Sequence, residues 1–172
     1  MNVWKKPATH EYATYYEKYI ERVPEGNLIQ ILKNQIKETV SFLKSIPEEK
    51  LNHSYAAGKW TIKQILQHMI DAERIFSYRL LRIARNDKTP LPGFDEEEYA
   101  REAFVDERKF EIMIAEFEIV RSSTLLLLET LNENEMNRIG TASNQPASAR
   151  SISYIIAGHE LHHISIMKER YL

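Results

Sequence analysis

The sequence has no cysteine. That absence excludes disulfides, thiolate metal sites and a cysteine nucleophile, so any transition-metal site must use His, Asp, Glu or water. Glycine and proline are scarce, five and six in 172 residues. Apart from Pro7 and Gly158 they fall at Pro24 and Gly26, Pro47, Gly58, Pro90 to Gly93, Gly140 and Pro146, with long stretches nearly free of breakers between. Long apolar runs are also missing. Leu125-Leu126-Leu127-Leu128 is the most apolar stretch, far short of the roughly 20 residues that span a bilayer. Charge of one sign is not in excess: 23 Lys and Arg against 25 Asp and Glu give a net −2, with no basic block. Nucleic acid and anionic membrane, which need clustered Lys and Arg, are therefore disfavoured as partners. Met1 to Pro7 hold no apolar core of a secretion signal, so the expected location is the cytoplasm.

What is present reads as helix. Hydrophobic residues at 43% and charged residues at 28% are ordinary for a globular protein and exclude a disordered chain. The length fits one domain, 1–172, able to bury a core without staples. No stretch alternates apolar and polar residues as a half-buried strand would, and no repeat is visible. Helix one is predicted from about Asn27 to Ser45, with Leu28, Ile31, Leu32, Ile36, Val40 and Phe42/Leu43 giving the 3.6-residue rhythm before Pro47. Helix two follows Gly58, with Thr61 and Gln64 in a capping-box pattern. Its stripe is Ile62, Ile65, Leu66, Met69, Ala72, Phe76, Leu80 and Ile83, ending near Asn86. Helix three is expected from about Asp106 to Leu131, and helix four from Ser148 or Ser151 almost to Leu172. The connection Asp87 to Val105 is too long for a tight antiparallel link and suits a crossover. Its run Asp95-Glu96-Glu97-Glu98 reads as a solvated acidic turn or short helix. Before helix one, Tyr12, Tyr15/Tyr16 and Tyr19 share a helical face, predicting a short helix packed over the bundle. The expected class is all-α: a four-helix bundle with a long crossover between helices two and three and a short N-terminal helical lead-in.

Three of the six histidines fall in His159-Glu160-Leu161-His162-His163. Residues four apart on a helix lie about 40° off alignment, so His159 and His163 share a side. That side is the stripe of Ile152, Ile155, Ile156 and Ile166, which faces the bundle interior. Two imidazoles on a core face are costly unless satisfied. A divalent transition metal satisfies them; hydrogen bonding within the core is the ordinary alternative. His68 is the only other histidine placed mid-helix on a partly buried face, while His10 belongs to the lead-in and His53 to a loop. Bundle sites draw on facing helices, so His68, His159 and His163 are the candidate ligands for one ion, zinc or nickel by donor type. Three ligands leave a position open for water or substrate. His162 lies on the flank, as an outer neighbour or surface residue. Glu160 and Asp71 are candidates for acid–base or outer-shell work, with a solvated helix charge the plainer reading of each.

The same string matches H-E-x-x-H, the zinc metalloprotease pattern. Its context does not. Ile166 and Glu169 stand where the longer form needs a glycine and a third histidine, and Glu169 lies too close along the helix to wrap round the ion. The protease reading is rejected.

Gly58-Lys59-Trp60-Thr61-Ile62-Lys63-Gln64-Ile65-Leu66-Gln67-His68, followed by Asp71-Ala72-Glu73-Arg74, resembles the second-helix signature of DinB/YfiT-like proteins. Gly158-His159-Glu160-Leu161-His162-His163 resembles their C-terminal histidine helix, and the likeness covers essentially the whole chain. The resemblance implies a four-helix bundle whose metal is held by three histidines, which map onto His68, His159 and His163. It implies a homodimer, and for some related proteins a transferase that joins a low-molecular-weight thiol, such as bacillithiol or mycothiol, to an electrophile. Members often continue after the second ligand with a Gly-Gln pair; this chain departs from that pattern with Ile164-Ser165-Ile166. Three readings stay open: thiol transfer, metal-assisted hydrolysis, and a stress-related metal- or ligand-binding module without catalysis. The expected partner is a small-molecule substrate, such as a low-molecular-weight thiol.

Overall fold

Few breakers and several strong caps decide where the long helices begin. In the computed structural model, which describes residues 4–172, the elements are α1 (Glu17–Ile20), α2 (Leu28–Lys44), α3 (Ile62–Ala84), α4 (Glu96–Glu102), α5 (Phe110–Glu129), α6 (Glu133–Met136), β1 (Ile139–Ala142), β2 (Gln145–Ser148) and α7 (Ala149–Arg170). The reading of Met1-Asn2-Val3 lies outside the described residues. Asn27 Oδ1 accepts from the Gln30 N–H at 3.0 Å to open α2. Thr61 and Gln64 exchange hydrogen bonds of 2.9 and 3.2 Å to open α3. Ser148 and Ser151 exchange bonds of 3.0 and 2.8 Å to open α7. Each removes orphan N–H groups at a helix start.

α2 and α3 each pack against both α5 and α7. α2 therefore lies diagonally opposite α3, and α5 diagonally opposite α7. Direction follows from the core, which is in two clusters. α2 runs from Leu28 and Leu32 in the first cluster to Val40 and Leu43 in the second, and α7 runs the same way, from Ile152 to Met167. α3 and α5 run oppositely, from Ile62 to Leu80 and from Phe110 to Leu128. The order is up-down-down-up, and the parallel neighbours α3 and α5 need the long crossover that the sequence contains.

A polar layer divides the two clusters, one side chain from each long helix. Arg121 of α5 donates through Nε and Nη2 to both Glu73 oxygens of α3, at 2.7 and 2.8 Å, and through Nη1 to Glu160 Oε2 of α7, at 2.7 Å. Thr39 of α2 donates to Glu160 Oε1 at 2.6 Å. All four are buried.

Two expectations are corrected, the absence of strands and the start of the third long helix. The segment 139–148 is a β-hairpin, not strand-free chain: Ser143 (φ 51°) and Asn144 (φ 61°) form its two-residue turn. Leu91 adds backbone bonds to Thr141 and Ser143, both 2.9 Å. Strands of four residues are too short to alternate visibly, and here they form against the crossover. The third long helix starts at Phe110 rather than Asp106, because left-handed Phe104 (φ 46°) and extended Arg108 bound a separate 3-10 turn, Val105–Glu107. The lead-in is two 3-10 turns, Thr9–Glu11 and Thr14–Tyr16, before the single turn of α1. Tyr12 and Tyr19 are buried as expected, but Tyr15 points to solvent. The Asp95 run became α4, with Asp95 Oδ1 accepting from the Glu97 and Glu98 N–H groups at 3.0 Å.

Candidate metal centre

α3 and α7 are antiparallel neighbours, and their packing places His68 opposite the His159–His163 turn. His159 Nε2 lies 2.9 Å from His68 Nε2 and 3.1 Å from His163 Nε2. Ligand nitrogens about 2.1 Å from one ion in a tetrahedron would stand roughly 3.4 Å apart, a little wider than this spacing. All three imidazoles are buried. Burial holds His159 and His163 well below the usual histidine range, with the neighbouring histidines acting in the same direction. Burial and then His162 push His68 down to about 4. The three rings are therefore neutral at pH 7, the form that offers a lone pair.

Hydrogen bonding among the rings does not satisfy this geometry. An imidazole nitrogen has one in-plane direction, filled by either a hydrogen or a lone pair. His159 Nε2 has two ring nitrogens within about 3 Å, and it can pair with only one. A shared cation takes all three lone pairs at once.

Aromatic rings wall the cluster. Trp60 sits 4.7 Å from His68, centroid to centroid, and lies near-parallel to His163 at 6.5 Å. Phe76 and Tyr19 meet His159 edge-on at 5.7 and 5.5 Å. His163 and Trp60 also line a cleft of about 570 Å³, with Tyr55, Lys59, Ile166 and Tyr171. Two bonds fix this wall: Tyr171 donates its hydroxyl to the Trp60 carbonyl at 2.5 Å, and Trp60 Nε1 donates to Glu97 at 3.0 Å.

The remaining candidates lie elsewhere. His162 stacks edge-on against Tyr19 and His163, both at 5.1 Å, outside the nitrogen cluster. Glu160 points into the polar layer, both oxygens taken by Thr39 and Arg121. Burial pushes its carboxyl upward against the opposing pull of Arg121 and Thr39. Asp71 accepts from Gln67 at 3.0 Å and pairs with Arg74 at 3.5 Å, facing a separate cleft beside α4. Among the described residues, the group of three or more His, Asp or Glu whose donor atoms converge is His68, His159 and His163. The sequence reading missed the polar layer, although Arg121 in the apolar stripe of helix three was its visible sign. Trp60 was read only as part of a motif.

A family profile described as the DinB superfamily matches residues 31–167. A protein of Oceanobacillus iheyensis named "Putative metal-dependent hydrolase" is 28% identical over 142 residues, 81% of this chain and 79% of its own length. The structure of YfiT from Bacillus subtilis, described as "a probable metal-dependent hydrolase with an unusual four-helix bundle topology", superposes with a TM-score of 0.71 at 18% identity, covering 96% of this chain and 90% of that one. A mycothiol-dependent maleylpyruvate isomerase superposes with a TM-score of 0.65 at 13% identity, covering 84% of this chain and 61% of that one. At these identities the two structures share the fold.

Proposed function

The chain belongs to the DinB superfamily, and on that premise we propose that His68, His159 and His163 hold one divalent transition metal, zinc or nickel, where a low-molecular-weight thiol of the bacillithiol type attacks a small electrophile. The observation that carries this reading is His159 Nε2 lying within 3.1 Å of two other ring nitrogens. When bound, the cation would supply a Lewis acid that lowers the pKa of a thiol or water in its open position. Burial keeps the three imidazoles neutral, so they donate lone pairs without first losing protons. Trp60, Tyr55 and Tyr171 offer an apolar cleft beside His163 for the body of a small molecule. The chain has no cysteine, so the thiol must arrive as substrate. Glu160 is committed to Arg121 and Thr39, which favours a nucleophile needing no protein base. Relatives named as metal-dependent hydrolases support the second reading, water in place of the thiol.

The rest of the proposal concerns assembly. We take residues 1–172 as one domain, and α5 carries an exposed stripe of Ile112, Ile119 and Leu126 at heptad spacing, with Ala115 and Ser122 between. We place a second copy of the chain on that stripe, giving a homodimer. No described helix is long and apolar enough to cross a membrane, and we assign the protein to the cytoplasm.

Elemental mass spectrometry of the purified protein tests the centre. One equivalent of metal in wild type, lost in His68→Ala and His163→Ala, is expected. A wild type that stays empty after soaking in zinc and nickel overturns it. Loaded protein is then given a thiol with 1-chloro-2,4-dinitrobenzene, and separately a p-nitrophenyl ester without thiol. Faster conjugation is expected. Ester turnover alone would move the assignment to hydrolysis, and neither would leave a binding module.

A further inference from the structure

Two arginines are buried in this bundle, and they are treated differently. Arg121 is enclosed by two carboxylates. Arg79, on α3 and only 4% exposed, has no carboxylate partner among the described residues. Its Nη2 donates to the Pro92 carbonyl at 2.7 Å and to Ser143 Oγ at 3.0 Å, and the Tyr16 hydroxyl is a further neighbour. These acceptors are neutral. They satisfy donors but do not compensate the charge, and a buried uncompensated guanidinium is costly. A guanidinium has five N–H donors, so two bonds leave donors over for the space that Arg79 lines.

That space is a cleft of about 630 Å³, formed where α3 meets the crossover, and it is lined by Arg74, Tyr78, Leu91, Phe94 and Tyr99 as well as Arg79. Arg79 follows His68 by three helical turns, about 16 Å along the axis, so this cleft is distinct from the histidine cluster. Among the described residues, no nearby acid forms an ion pair with Arg79, including Glu96, whose charge is felt at the neighbouring Tyr16. Glu116 pairs with Arg74 at 2.6 Å, Asp95 caps α4, Glu97 accepts from Trp60, and Glu98 pairs with Arg101 at 3.2 Å. The cleft thus joins aromatic walls to a buried cation lacking a counter-ion.

We propose that this cleft binds a small carboxylate with an aromatic or apolar body, the carboxylate meeting the Arg79 guanidinium and the body lying between Tyr78, Phe94 and Tyr99. The fork of Arg matches a carboxylate in two parallel bonds, which Lys cannot reproduce. The neutral bonds to Pro92 and Ser143 hold the guanidinium in place for it.

Calorimetric titration with benzoate tests the proposal, with benzamide as the uncharged counterpart of the same shape. Wild type is expected to bind benzoate saturably and benzamide at least about tenfold more weakly. Arg79→Met is expected to lose the preference. Because Arg79→Met removes one bond to the crossover and one to the hairpin turn, Arg79→Lys and Tyr99→Ala are measured too, each checked for helical content. Both should weaken benzoate with the fold intact. A carboxylate also coordinates metals, so the titration is repeated on His163→Ala, which should bind benzoate as wild type does. No saturable binding by wild type, equal binding of benzamide, or binding kept in Arg79→Met and lost in His163→Ala would each overturn the site.

Discussion

Gly158 of α7 lies directly against the backbone carbonyl of Tyr19: a Cβ at Gly158 would stand 2.0 Å from Tyr19 O and 2.4 Å from its carbonyl carbon. The lead-in therefore crosses α7 in backbone contact one residue before His159, which brings the Tyr19 ring to the edge of the His159 imidazole. In an exposed helix, Gly→Ala would stabilise by roughly 0.5–1 kcal/mol.

Gly158→Ala should instead destabilise by about 1–3 kcal/mol, the cost of overpacking. Neither backbone can yield without undocking the lead-in. Urea unfolding measures the loss, and Trp4 fluorescence in a Trp60→Phe background should shift to the red as the buried Trp4 ring meets water. Unchanged stability and emission would show that the crossing relaxes freely.

The polar layer gives a second test. Arg121→Met leaves Glu73 and Glu160 buried without their cation and should cost about 3–5 kcal/mol. Adding Glu73→Gln and Glu160→Gln should recover part of that loss, since uncharged amides need no counter-ion. Glu160→Gln alone should lower stability and leave metal content and turnover intact. A collapse of turnover with full metal occupancy would instead make Glu160 a proton-transfer group.

Acid should loosen the lead-in. Burial pushes the Glu11 carboxyl up, but Arg150, the Ala8 N–H at 2.8 Å and the Ser148 hydroxyl at 2.7 Å outweigh it and hold the group below its ordinary 4.5. A carboxylate with a lowered folded pKa contributes stability that is complete above the unfolded value and is lost as pH falls through the folded one. Trp4 emission should thus be constant above pH 4.5 and shift below it. Glu11→Gln should flatten that dependence and cost about 1–3 kcal/mol at neutral pH.

The α5 stripe predicts assembly. Ile119→Glu or Leu126→Glu puts a charge into an apolar contact and should convert a dimer to a monomer in size-exclusion chromatography with light scattering. Helical content should not change, because both side chains point away from the core. A wild type that is monomeric at every concentration would remove the second copy from the proposal.

Local physics made much of the bundle legible in the chain. Apolar residues at 3.6-residue spacing, scarce breakers and the capping box at Thr61 marked the long helices. Spacing alone put His159 and His163 on one face, because the α-helix fixes where residue i+4 points. The hairpin at 139–148 and the start of α5 were not legible. Both depend on neighbours outside their own segments, Leu91 for the hairpin and the turn after Phe104 for the helix.

Tertiary structure decided the rest. The contact of His68 with His159 spans 91 positions, and that of Thr39 with Glu160 spans 121. No local pattern encodes such pairs, because they depend on which helices become neighbours and in which direction each runs. The same packing gives Arg121 two carboxylates and leaves Arg79 with none. The sequence determined helices with a neutral, thiol-free donor set on their inner faces. Packing α3 antiparallel to α7 brought three of those donors to one point, because only assembled helices can exclude water from all three imidazoles together.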